Sequence, residues 1–216
     1  MLQLFGHRFS SYTWKALIAL YANETPFIFC GLGEGDAVAE ALVASAGPSG
    51  QFPVLQDGER VVFETSVIIE YLDHHHPGAH RFIPVDPASA LDVRMWDRVF
   101  DLHVMAPMQA AVAHRIANPD CPVEEARGKS RAALTRSYRW IEGWLELYTQ
   151  RDRITLVECA AAPSLFYADW VIAIPAECPR LRAWRAHLLA LPAVKRCVDD
   201  ARQYRHFFPL GAPDRD

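Results

Sequence analysis

The chain has 216 residues, 51% of them apolar and 22% charged, the balance of a folded globular protein and not of a disordered one. A formal charge of −4 and a pI near 6.1 give no electrostatic reason to expect nucleic acid or an anionic membrane as partner. No apolar run approaches the roughly 20 residues of a membrane helix, and Met1-Leu2-Gln3 lacks the basic stretch of a secretory signal, so a cytoplasmic location is expected. The five cysteines are scattered and never spaced Cys-x-x-Cys, which argues for reduced, mostly buried thiols and against a disulfide scaffold or a structural zinc.

In chain order, Leu2-Gln3-Leu4-Phe5 alternates and stops at Gly6, as a short strand would. Trp14, Leu17, Ile18 and Tyr21 then fall at i, i+3, i+4 and i+7, the apolar stripe of a helix that Asn23 can end. Phe27 to Cys30 reads as a second strand, and the Ala-rich stretch from Asp36 to Ala46 as a helix broken by Gly47-Pro48-Ser49-Gly50. Pro53-Val54-Leu55 and Val61-Val62-Phe63 are strands joined through Asp57-Gly58, a strong hairpin signal. A third helix runs from about Thr65 to His75 and stops before Pro77-Gly78.

The order βαβαββα predicts an α/β thioredoxin-like N-terminal domain with helices on both faces of its sheet. Residues 1–77 are assigned to it, residues 78–87 to a linker, and residues 88–216 to an all-α helical C-terminal domain in which no strand is foreseen. Asp86 and Pro87 read as the N-cap and first residue of the opening helix. Met95, Val99, Leu102 and Ala106 keep helical spacing there, as do Trp140, Trp144 and Leu147.

Three segments carry candidate chemistry. Ser10 and Ser11 stand at a strand-to-helix turn, where unpartnered backbone N–H groups and the helix dipole favour an anion such as a thiolate; each serine also reads as an ordinary helix cap. In Gly50-Gln51-Phe52-Pro53-Val54 a cis Phe52-Pro53 bond would turn the Phe52 amide and carbonyl toward an extended peptide-like ligand, whereas a trans proline would simply open a strand. Glu64-Thr65 opens the third helix and could hold the carboxylate and ammonium of an α-amino acid, or merely cap it. His74, His75 and His76 are consecutive, so they diverge around a helix and cannot converge on one metal.

In order and spacing, these segments together resemble the glutathione-binding domain of the cytosolic glutathione transferases, and Glu70-Tyr71-Leu72 and the capping box Thr155-Leu156-Val157-Glu158 extend the resemblance over nearly the whole chain. Ser10 to Lys15 is similar to the serine-type zeta pattern Ser-Ser-Cys-Ser-Trp-Arg, with Tyr12 in place of its cysteine. The resemblance implies an enzyme that conjugates glutathione, as co-substrate and without cofactor or metal, to a small hydrophobic electrophile, and it implies a homodimer. Carried over by position, Ser10 donates to the thiolate, with Tyr12 as its competitor for that role. Ser11, Gln51, Phe52, Pro53, Glu64 and Thr65 bind glutathione, and Phe9, Tyr12, Phe100 and His103 line the electrophile pocket. A glutathione-dependent reductase or peroxidase, which usually needs a cysteine near the Ser10 position, and a non-catalytic glutathione-binding protein remain the rival readings.

Overall fold

The computed structural model describes residues 1–33, 35–148 and 153–216. The first part runs β1 (Leu2–Gly6), α1 (Ser11–Ala22), β2 (Ile28–Gly31), α2 (Ala37–Ala46), β3 (Val54–Asp57), β4 (Arg60–Val62) and α3 (Thr65–His75). The strands lie in the order β2-β1-β3-β4, with β1 parallel to β2, antiparallel to β3, and Leu4 opposite both Phe29 and Leu55. This is the thioredoxin-like arrangement that the element order predicts. Side-chain alternation divides the interior. Leu2, Leu4 and Leu55 join the main core with α1 and α3, while Phe5 and Val54 meet Ala39 and Val43 of α2 on the opposite face.

From Ser11 to Leu20 every residue of α1 except Tyr12 is buried, because this helix packs against α3, α7 and α9. Its start is set by a close approach. A Cβ on Gly6 would lie 2.6 Å from Thr13 Oγ1, so only glycine at the end of β1 lets the first turn of α1 come this near.

The second part is helical: α4 (Pro87–Phe100), a π-helical turn (Asp101–Met105), α5 (Ala106–Ala117), α6 (Val123–Trp144), α7 (Leu156–Val171), α8 (Pro179–Ala190), α9 (Pro192–Ala201) and a 3-10 turn (Arg202–Phe207). Asp86 caps α4 by accepting from Ser89 N (2.9 Å). All of α7 is buried, and it opens with the predicted capping box, in which Thr155 Oγ1 accepts from Val157 N and Glu158 Oε2 accepts from Thr155 N (2.8 Å). The connection between the two parts is anchored. Phe82 is buried, its N–H donates to Asp73 Oδ1 (2.7 Å), and its carbonyl accepts from Leu156 N (3.0 Å).

The two apolar stripes read from spacing in this half face the core only in part, through the half-buried Val99 and Trp144. Met95, Leu102, Trp140 and Leu147 are exposed, and the buried residues of α4 and α6 are instead Ala90, Trp96 and Phe100, and Leu134, Tyr138 and Ile141. Each helix carries apolar residues around much of its girth, so periodicity alone leaves the inward face open. Among the described residues no helix is long and apolar enough to cross a membrane.

Candidate active site

The loop from β1 to α1 is held on both sides. Trp14 Nε1 donates to the Arg8 carbonyl (2.6 Å) and Tyr167 Oη donates to the Phe9 carbonyl (2.8 Å), while Ser10 N donates to the His7 carbonyl (2.9 Å). These bonds leave Ser10 half-buried as the N-cap of α1, where its Oγ accepts from Thr13 N (3.3 Å). A hydroxyl that accepts there keeps its proton free to donate outward. Ser11 is buried, and its Oγ accepts from Gln109 Nε2 (3.1 Å) of α5.

Two cavities meet at this loop. The first, about 240 Å³, is bounded by Tyr12, Gln51, Pro53, Glu64, Thr65 and, from α4, Arg98. The second, about 260 Å³, is bounded by Phe9, Ser10, Ser11 and Met108, with Tyr167 and Phe208 closing it. Phe52 borders both, and the Phe52-Pro53 bond is cis. Glu64 takes φ +67°, a backbone conformation costing about 1–3 kcal/mol in a non-glycine residue, and makes no side-chain cap to α3. The first N–H groups of α3 therefore open toward the first cavity without a side-chain cap.

Behind that cavity lies a charge cluster that sequence reasoning missed. Lys15 is fully buried, and its Nζ meets Ser66 Oγ (2.9 Å), Asp101 Oδ2 (2.8 Å) and Asp97 Oδ1. Arg98 reaches Asp97 and Asp101 with Nη2 (2.6 and 2.8 Å) and also bonds Ser66. Burial is the main cause that pushes the Asp101 carboxyl above its usual range. Burial first, then the Asp101 charge, pushes the Tyr12 phenol up to about 12, so it stays protonated at neutral pH. A charged residue following Trp14 in an otherwise apolar helix, with Asp97, Arg98 and Asp101 on one later helix, was the available signal.

The structure does not bring the expected electrophile-pocket residues together. Tyr12 lines the first cavity and not the one beside Phe9. Phe100 is wholly buried between Trp96 and Trp184 and lines neither cavity. His103 sits exposed on the π-helical turn and also lines neither. Both residues were placed there by the resemblance, which carries position along the chain but not the direction a side chain faces. His76 is bound to Asp57 Oδ2 (2.6 Å) at the hairpin, and none of the five cysteines lines either cavity.

With this geometry in hand, residues 4–80 match the family profile described as glutathione S-transferase, N-terminal domain. The chain is 24% identical to glutathione S-transferase F13 of Arabidopsis thaliana, covering 89% of this chain and 92% of that one. It is 27% identical to a probable maleylacetoacetate isomerase of Vibrio cholerae, covering 91% and 95%. A glutathione S-transferase from Methylobacillus flagellatus, solved with glutathione bound, shares the fold with a TM-score of 0.77 at 22% identity, over 91% of this chain and 98% of that one. A thioredoxin-like sheet joined to a helical half, the profile match over residues 4–80 and relatives aligned over nearly the whole chain agree: the chain is similar throughout to the glutathione S-transferases, and residues 4–80 carry the pattern of their N-terminal domain.

Proposed function

We propose that this enzyme conjugates the thiolate of glutathione to small, uncharged, apolar electrophiles. The carrying observation is the pair of cavities that meet at Phe52, with Ser10, at the head of α1, lining the second of them. Glutathione would lie along Phe52-Pro53 in the first cavity, its amino-acid end at Glu64 and Thr65 and its thiol toward Ser10. A free thiol has a pKa of about 8.5, so most of it is protonated at neutral pH. As the thiol proton leaves to solvent, Ser10 Oγ, already accepting from Thr13 N, donates a hydrogen bond to the sulfur and stabilises the thiolate, and the N-terminus of α1 adds a favourable field. The thiolate then attacks an electrophilic carbon held between Phe9, Met108 and Phe208, forming the C–S bond as the leaving group, halide in an aryl halide, departs to solvent. The nucleophile is the co-substrate itself, so this step calls on no metal or prosthetic group.

Ser10 is favoured over its neighbours on exposure and ionisation. Ser11 is buried and engaged by Gln109. Tyr12 faces the amino-acid end of the first cavity, beside Glu64 and Arg98. A reductase or peroxidase usually needs a cysteine at or near this place, and the lining of both cavities contains none. Maleylacetoacetate, the substrate named for the Vibrio cholerae relative, is a dicarboxylate, and the lining of the second cavity supplies no cation to pair it. Five unpaired cysteines suit a reducing compartment, so a detoxifying role in the cytoplasm is proposed. A homodimer would cover the apolar residues exposed on α3 and α4, among them Val67, Leu91 and Met95.

The test compares wild type with Ser10→Ala, Ser11→Ala and Tyr12→Phe for glutathione affinity, turnover with a neutral aromatic halide, and thiolate absorbance against pH. Ser10→Ala should bind glutathione within a few-fold, lose roughly 10- to 100-fold in turnover, and return the bound thiol toward its free pKa. Unchanged turnover in Ser10→Ala alongside a collapse in Tyr12→Phe would move the role to Tyr12.

A further inference from the structure

The first cavity is electrically lopsided. Where α3 meets α4 it presents Glu64, Arg98 and Asp101; from the loop after α2 it presents Gly47, Ser49 and Gln51, none of which is charged. Arg98 is the only cation in this lining. Its guanidinium is pre-oriented: Nε and Nη2 bond Asp97 (3.1 and 2.6 Å), and Nη2 also reaches Asp101 (2.8 Å) and Ser66. Among the described residues none of these bonds uses Nη1, and the side chain remains 52% exposed at the cavity wall. An arginine fixed on one edge of its fork at a cavity wall, with Nη1 outside those bonds, is suited to clamp a carboxylate. The uncapped N–H groups at the start of α3 lie beside it, and Glu64 and Asp101 offer negative charge to an ammonium.

We propose that Arg98 is the residue that selects the thiol co-substrate by the α-carboxylate of its amino-acid end. The site therefore takes γ-glutamyl thiols whose amino-acid end is intact and tolerates loss of the distant carboxylate, which meets only the neutral groups of Gly47, Ser49 and Gln51. This rests on glutathione being the ligand of the first cavity, as proposed above. It makes γ-glutamylcysteine, which lacks the terminal glycine, an alternative co-substrate of this chain.

The experiment is calorimetric titration of wild type, Arg98→Gln and Arg98→Lys with three ligands: glutathione, γ-glutamylcysteine, and glutathione carrying a primary amide in place of its γ-glutamyl α-carboxylate. Wild type should bind the amide roughly 10- to 100-fold more weakly than glutathione, the range for one charge-assisted pair, and γ-glutamylcysteine within about fivefold. Arg98→Gln should erase the difference between glutathione and the amide, and Arg98→Lys should restore part of it. Equal binding of amide and acid by wild type overturns the inference and leaves the glutathione reading standing. So does a loss of γ-glutamylcysteine binding as large as that of the amide, or an equal weakening of acid and amide in Arg98→Gln, which would assign the effect to collapse of the charge cluster. Wild type that binds no glutathione overturns the reading and the inference together. If Arg98→Gln fails to fold, the wild-type ligand ratios and the Arg98→Lys titration decide alone.

Discussion

Replacing Lys15 with methionine preserves side-chain length and removes the ammonium from a site with no solvent access. The structure sets the size of the effect. Lys15 Nζ engages Ser66 and two carboxylates, of which Asp97 is 1% and Asp101 7% exposed, so its loss strands negative charge in a poorly solvated interior. Breaking a buried pair by removing one partner costs about 3–5 kcal/mol. Arg98 continues to compensate both carboxylates from the other side, which places the expected loss near the lower end, about 3 kcal/mol. For a chain of this size that is a fall in Tm of roughly 6–12 °C. The loss should also depend on pH. The folded-state pKa of Asp101 already lies above its unfolded value, so its contribution to stability is complete at low pH and is lost as pH rises through the folded value. Without Lys15 that value rises further, and the deficit of Lys15→Met should be greatest at pH 7 and shrink as the medium is acidified and the stranded carboxyl takes up a proton. Urea unfolding of both proteins between pH 5 and pH 8 measures this. A deficit below about 1 kcal/mol at pH 7, or one that is flat with pH, would refute the account, since neither is compatible with uncompensated buried charge.

Two further substitutions test the framework around the site. Gly6→Ala puts a methyl 2.6 Å from Thr13 Oγ1 in a buried turn and should cost about 1–3 kcal/mol by chemical denaturation; the hydroxyl there has no hydrogen-bond partner, so Thr13→Ala in the same chain should recover most of the loss. Phe100→Leu, inside the ring of Trp96 and Trp184, should lower stability by about 1 kcal/mol or more while leaving the KM for the electrophile within twofold; a large change in KM would return Phe100 to the pocket wall.

The N-terminal half was legible because its signals are local. Asp57-Gly58 dictates a hairpin, Gly6 and Asn23 bound a strand and a helix, and Asp36 caps α2 by accepting from Val38 N and Ala39 N (3.0 and 3.1 Å). The helical half was legible in kind but not in facing. Trp140 is 58% exposed even though it stacks on Trp96, and Leu102 is exposed on the π-helical turn, so the apolar spacing that includes them marks a helix without saying which side is inward. Phe100 and His103, carried over by position, likewise came without a facing, and neither borders the two cavities at the β1–α1 loop. Lys15 was hidden differently, because no local rule says that a lysine in an apolar stripe will find two aspartates 82 and 86 residues later.

The position of that lysine calls for an explanation other than stability. Apolar groups of similar volume commonly replace a buried ion cluster without loss, and sometimes with a gain of about 1–4 kcal/mol, so a greasy contact among α1, α3 and α4 would hold these helices at least as firmly. What an apolar contact lacks is direction. One ammonium on α1 that must meet Ser66 on α3 and Asp97 on α4, with Asp101 just beyond, fixes the mutual placement of the helices whose residues wall the first cavity, and the same aspartates orient the fork of Arg98. The two roles separate in one comparison. Combining Lys15→Met with Asp97→Asn and Asp101→Asn removes the stranded charges along with their partner, so unfolding free energy should return to within about 1 kcal/mol of wild type. Glutathione affinity should stay depressed by roughly tenfold or more, because Arg98 has lost the carboxylates that aim it. Affinity that recovers together with stability would mean that the cluster serves only to hold the helices together, and that the cavity takes its shape from packing alone.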